Sequence, residues 1–239
     1  ESAKQIQKEG LWFQPLGFYL FQIDNMTDCL MMNINASADS DNPIRSSMII
    51  NFYQPYENGD IRTSRKMDRT TIDVIENEVH KPIGFGNYAR YWHGYQVILR
   101  PLLNFFNYNQ IRVINYIALF VLFTITIILL YKRLNILYAL SFAATLIISN
   151  IMIVPLAIQF STCFYIALFG MIIVLNCKRI TDSKRLTMMF FTIGAFTSYM
   201  DFLTTPILTL GFPLLVLVAI NKEKERLRTI FTQSFVWLL

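Results

Sequence analysis

Nineteen consecutive residues, Val113 to Tyr131 (VINYIALFVLFTITIILLY), carry no charged side chain. A bilayer core about 30 Å thick needs roughly 20 apolar residues in a helix, so the run matches a membrane span. The pattern repeats. Ile136 to Val154 is similar and is followed by Pro155, which ends a helix. Ser161 to Leu175 is shorter and is extended by Ala157 to Phe160. Leu186 to Met200 and Phe202 to Ile220 follow, parted by Asp201, and a sixth run begins near Thr229. The composition agrees: 54% of residues are hydrophobic and 15% charged, against about 25% charged in an average soluble domain. That deficit excludes disorder, a coiled coil and an ordinary water-soluble enzyme. The expected fold class is an all-α polytopic membrane protein with a large mixed, partly helical external loop. Residues 1–112 form the loop region with interfacial helices, and residues 113–239 form about five complete spans and the start of a sixth.

The charges set the orientation. Residues 1–112 hold 11 Lys and Arg against 12 Asp and Glu, whereas the remainder holds 10 basic and 4 acidic residues. The pI of about 9.1 therefore comes from the apolar half, and it argues for anionic lipid rather than nucleic acid as the partner. Lys132 and Arg133 follow the first span. Lys178, Arg179, Lys184 and Arg185 follow the third, and Lys222, Lys224, Arg226 and Arg228 follow the fifth. The two intervening turns have no Lys or Arg. By the positive-inside rule the basic linkers are cytoplasmic, which places residues 1–112 outside with the turns at Gln159 and Asp201. The chain begins at Glu1 without a signal peptide and stops inside an apolar run, so it reads as part of a longer parent with one span upstream.

Within the external segment, Asp24 to Asn33 reads as a capped helix start, with Asn25 or Thr27 as cap and Asp28 in the first turn. Residues 34–46 and 57–69 are loop by composition, and Asn58-Gly59-Asp60 signals a turn. Thr70 to Glu78 is a short polar helix candidate. Tyr88 to Leu103 interleaves Tyr88, Tyr91, Trp92 and Tyr95 with Arg90 and Arg100. That pattern suits a helix in the headgroup layer with a bend near Pro101, and simple interfacial anchoring explains the same aromatics.

Candidate chemistry is confined to a few positions. Asp24 and Asp28 share one helix face at i and i+4. Such a pair can hold a divalent cation or supply a general base, and helix capping accounts for the same two residues. Arg90 and His93 lie one turn apart and can hold a phosphate. With His80 and His93 alone and no Cys nearby, zinc is not expected. Arg62, Arg65, Lys66 and Arg69 read as a solvated charged loop. Asp201 is acidic between two apolar runs, a functional candidate at membrane depth and less so at a turn. The sequons at Asn25 and Asn35 carry no weight on their own. No GxGxxG, Walker loop, HExxH or GxSxG occurs, which argues against a nucleotide-driven enzyme or a common hydrolase.

An upstream span, a large external loop with early acidic residues, interfacial helices and short-looped spans together resemble the GT-C superfamily of polytopic membrane glycosyltransferases. The residues that carry the resemblance are Asp24-Asn25-Met26-Thr27-Asp28 and Arg90-Tyr91-Trp92-His93-Gly94, and the oligosaccharyltransferase WWDYG motif is absent. The resemblance implies transfer of a sugar from a lipid-phosphate carrier, a polyprenyl-phosphate donor, to an acceptor on the outer face of the membrane. Asp24 would be the catalytic base and Asp28 a supporting or metal-binding carboxylate, so a divalent cation enters as a candidate cofactor. Arg90, His93 and Arg100 would hold the carrier phosphate, and Asp201 is kept as a substrate-binding candidate. Low cysteine content and loop composition point to a bacterial plasma membrane. The rival expectation is a transporter, flippase or assembly subunit of cell-envelope polysaccharide synthesis. Asp201, Pro206 and Pro213 would then be its working parts.

Overall fold

The computed structural model describes residues 1–10, 12–15, 22–36, 52–53, 86–87, 92–177, 183–200, 204–220 and 226–239. The chain is mostly helical and divides into two compact units. One comprises Glu1–Asn115 with Ile153–Gln159, and the other Tyr116–Met152 with Phe160–Leu239.

The first unit is built around a buried helix. Helix α1 (Ser2–Glu9) ends at Gly10, whose φ of 65° lies in the region open to glycine. Strands β1 (Trp12–Phe13) and β2 (Ile23–Asp24) form a two-residue antiparallel ladder that pairs Trp12 with Asp24. Helix α2 (Met26–Ala36) follows, with every side chain from Asp28 to Asn35 buried. Buried polar groups need partners inside the protein, and Asn35 Nδ2 donates to the Met31 carbonyl at 2.7 Å. Strands β3 (Phe52–Tyr53) and β4 (Gly86–Asn87) make a second short ladder.

Helix α3 (Gln96–Phe105) starts later than the sequence pattern predicts, because Trp92 and His93 carry no regular structure and Gly94 and Tyr95 form a turn. Pro101 lies inside it. The helix buries Gln96 and Leu99, whereas Trp92, Val97, Ile98 and Phe105 stay exposed. Residues 88–91 of the expected helix lie outside the described residues, as do the helix candidate at 70–78 and the loops at 37–46 and 57–69.

Helix α4 (Tyr108–Arg133) begins in the first unit and is 26 residues long. Its start is a reciprocal cap: Gln110 N donates to Asn107 Oδ1 at 3.0 Å, and Asn107 N donates to Gln110 Oε1 at 2.9 Å. At 1.5 Å per residue it is roughly 39 Å long, enough to cross a bilayer. Helix α5 (Ile136–Ile148) opens on Asn135, whose side chain accepts from Leu137 N and Tyr138 N. A single turn of 3₁₀ helix (Val154–Leu156) leads to α6 (Ile158–Asn176), and then come α7 (Ser183–Met200), α8 (Ile207–Ile220) and α9 (Arg226–Leu238).

Among the described residues, α4 and α6 are long and apolar enough to cross a membrane, with mean hydropathies of 2.6 and 2.1, whereas α5 and α8 are apolar but shorter. Among the described residues, two of the five expected spans therefore reach that length and hydropathy. The run at 136–154 stops at Ile148 because Asn150 takes a left-handed φ of 53°. Asn150 N then donates to Ile147 O at 3.1 Å and Ile151 N to Leu146 O at 3.0 Å, the paired bonds of a Schellman ending. The fifth run is cut to the 14 residues from Ile207, which follows Pro206. Helix α7 keeps 18 residues but includes Lys184, Arg185 and several Ser and Thr.

The second unit packs through aromatic edges and close backbones. Phe123 meets Phe164 at 6.0 Å, and Phe164 and Phe142 both meet Phe212 edge-on. A Cβ on Gly170 would lie 2.6 Å from Pro213 Cγ, and one on Gly194 would overlap the Trp237 carbonyl. Close approach of α7 and α9 thus requires a glycine at 194. The Thr197 and Thr209 hydroxyls lie 2.8 Å apart, and Trp237 Nε1 donates to Thr209 Oγ1 at 3.1 Å. Small residues and buried hydroxyls of this kind join helices where the surroundings are apolar.

Candidate functional site

The richest polar site lies in the first unit around Asp28. The fold of α2 sets its carboxylate against the start of α6: Oδ2 accepts from Ile158 N at 2.9 Å and Oδ1 from Gln159 N at 3.0 Å. Asp28 therefore caps a helix that begins 130 residues later. The first amides of a helix have no partner within it, and a carboxylate there also opposes the positive end of the helix dipole. Tyr108 Oη donates to Oδ2 at 2.9 Å, and Arg112 Nη2 stands 3.8 Å from the same oxygen. Burial pushes the Asp28 carboxyl above the usual carboxylate range, against the downward pull of Arg112 and the three hydrogen bonds.

Arg112 links this cap to α1 and to the residue before α2. Its Nη1 pairs with Glu9 Oε2 at 2.5 Å and its Nη2 donates to Asn25 Oδ1 at 2.8 Å, while its guanidinium carbon lies 4.1 Å from the Tyr108 ring centroid. Asn25 Nδ2 in turn donates to Glu9 Oε2 at 3.2 Å and to the Gly10 carbonyl at 2.9 Å. The side chains of Glu9, Asp28 and Arg112 are at most 3% exposed. Two carboxylates thus share one guanidinium, and the extra negative charge faces the α6 amides. Such a cluster clamps α1, α2, α4 and the turn before α6 together. Among the described residues its three charged side chains are almost fully enclosed.

Of the expected site residues, Asp28 has both carboxylate oxygens engaged by donors and holds the start of α6. His93 is 2% exposed and meets Tyr95 edge-on at 5.8 Å. Asp24 contributes its backbone to the β1–β2 ladder, beyond which nothing of its side chain is described. Arg100 sits half-buried on α3. Arg90, Asp201 and the basic loop from Arg62 to Arg69 lie outside the described residues. Among the described residues no three His, Cys, Asp or Glu side chains gather as metal ligands. Both sequon asparagines are buried, Asn25 at 2% and Asn35 at 8% exposure, so neither presents its amide to solvent.

Sequence reasoning missed Glu9, Tyr108 and Arg112 entirely. Arg112 had a usable signal, since it is the last cation before a long apolar run; Glu9 had none. No family model matches the chain, and neither the curated proteins nor the solved structures hold a match to it.

Proposed function

We propose that the chain is an integral membrane protein whose first unit works at the outer surface of a bacterial plasma membrane. Its proposed reaction is the transfer of a sugar from a polyprenyl-phosphate carrier to an acceptor there. The observation that carries the membrane part is α4, which is apolar on both of its faces. Leu119, Phe123 and Leu130 are buried, while Val113, Ile117, Val121, Ile125 and Ile128 stay exposed along the other side. A helix apolar all round belongs in a core or in lipid. The same exposed apolar stripe runs along α9 through Leu227, Phe231, Phe235 and Leu238, and patches of this extent are foreign to a protein surface in water.

Two further features support the sidedness and the lipid. The turn Ile153–Gln159 belongs to the same unit as residues 1–115, in keeping with the rule that puts both on the side away from the basic linkers. Helix α3 exposes Val97, Ile98 and Phe105, and Trp92 just before it is exposed too, as a helix resting in the headgroup layer would. The choice of reaction rests on the GT-C-like layout. Asp24 is the proposed base, and Arg90 and Arg100 are the proposed phosphate cations.

Sugar transfer by the reconstituted protein tests the reading. Asp24→Asn should abolish it with folding intact, and full activity in that variant would reject Asp24 as the base. Cysteines placed at Asp60 and Ser183 should label from opposite faces of the membrane; labelling from one face would reject the topology. A transporter, flippase or assembly subunit is the second reading, favoured by Thr197, Thr209 and Gln233 buried within the second unit. Loss of function on Asp201→Asn alone would favour it.

A further inference from the structure

Between α1 and the start of α4 lies an open groove of about 490 Å3, wholly within the first unit. That is the size of a small-ligand site. From α1 it is lined by Lys4 and Lys8, one turn apart on a single face and both exposed, and from the other side by Asn109 and Gln110. Glu1 also lines it, with its carboxylate held by Asn107 Nδ2 at 2.5 Å. The walls are held in place independently of any ligand. Tyr108 N donates to Ser2 Oγ at 3.0 Å, Ile6 is 2% exposed, and Glu9 is paired with Arg112. Two ammonium groups and side-chain amides on fixed walls suit a phosphate bearing hydroxylated groups. No aliphatic or aromatic residue among those described lines it.

The apolar surface begins one turn further along α4. Val113 is four residues from Asn109, and Ile114 four from Gln110, so the helix places all of them on one face. Val113 is 51% and Ile114 39% exposed. A polar groove thus runs directly into an apolar strip, the layout needed by a ligand with a phosphate head and a hydrocarbon tail. We propose that this groove binds the phosphate headgroup of a lipid, with the lipid chain lying along Val113 and Ile114. The proposal deepens the reading of a lipid-phosphate substrate and rests on it. It adds Lys4 and Lys8 as phosphate-binding residues on the arm of the loop opposite Arg90 and Arg100.

Native mass spectrometry of the detergent-solubilised full chain tests it, with phosphatidic acid, phosphatidylcholine, glucose 1-phosphate and inorganic phosphate as probes. Phosphatidic acid should bind, and the Lys4→Gln/Lys8→Gln double variant should weaken it by roughly thirtyfold, from the contribution typical of two lysines beside an anionic lipid surface. Phosphatidylcholine binding should not change. Val113→Gln/Ile114→Gln should weaken phosphatidic acid and spare glucose 1-phosphate. Binding of glucose 1-phosphate or inorganic phosphate as tight as that of the lipid would overturn the lipid assignment and leave a free phosphate as the ligand. Unchanged binding of every phosphate probe in the lysine variant would overturn the groove itself. Carbonate extraction of membranes, run alongside, reports separately on membrane insertion.

Discussion

Replacing Asp28 by alanine removes the acceptor from three buried donors at once, namely Ile158 N, Gln159 N and Tyr108 Oη. A buried donor left without a partner costs about 1–3 kcal/mol, and loss of a helix N-cap costs about 1 kcal/mol. Arg112 keeps Glu9 and Asn25 as partners, which limits the electrostatic part. Allowing for overlap among these contributions, the substitution should destabilise the first unit by about 4 kcal/mol. With a slope of about 2–4 °C per kcal/mol for a chain of this size, the melting temperature should fall by roughly 8–16 °C. Hydrogen exchange localises the effect: the amides of Ile158 and Gln159 should lose protection first, ahead of the interior of α6. Asp28→Asn, which keeps one acceptor oxygen, should lie between the wild type and the alanine variant. Unchanged melting and unchanged exchange at Ile158 and Gln159, together with lost sugar transfer, would refute the clamp and return Asp28 to the chemistry.

Other substitutions probe the same physics. Arg112→Met strands two buried carboxylates and should cost about 3–5 kcal/mol, read by chemical denaturation, with partial recovery in the Arg112→Met/Glu9→Gln/Asp28→Asn triple variant. Because burial holds the Asp28 proton more tightly in the folded state than in the unfolded chain, stability should fall as pH rises from the ordinary carboxylate value to the raised folded one. Asp28→Asn should flatten that slope in a pH series of melts. Gly194→Ala forces α7 and α9 apart at the Trp237 carbonyl and should cost about 1–3 kcal/mol by overpacking, with Trp237 fluorescence shifting. Trp92, 58% exposed beside α3, should be quenched by lipid-borne quenchers placed shallow in the bilayer; indifference to them would place α3 away from the membrane.

Much of the helical content was legible in the chain, because apolar runs such as Val113 to Tyr131 leave the backbone no partner in lipid or core except itself. Asn135 and Asn107 cap helix starts through short polar side chains that reach their own first amides, a local signal that hydropathy does not carry. Asn150 ends α5 from within an otherwise apolar run, where hydropathy gives no sign of a stop. The pairing of Asp24 and Asp28 on one face had two physical explanations, capping and chemistry, and local spacing cannot separate them. The fold separated them for Asp28: only the approach of residues 158 and 159, 130 positions away, gives its oxygens their donors. The clamp of Glu9, Asn25, Tyr108 and Arg112 and the groove of Lys4, Lys8 and Asn109 likewise join residues about a hundred positions apart. Composition and periodicity act over one or two turns and therefore determined which segments are helical and where the apolar surface lies. The partners of each buried charge depend on which segments meet, and that was decided by tertiary packing alone.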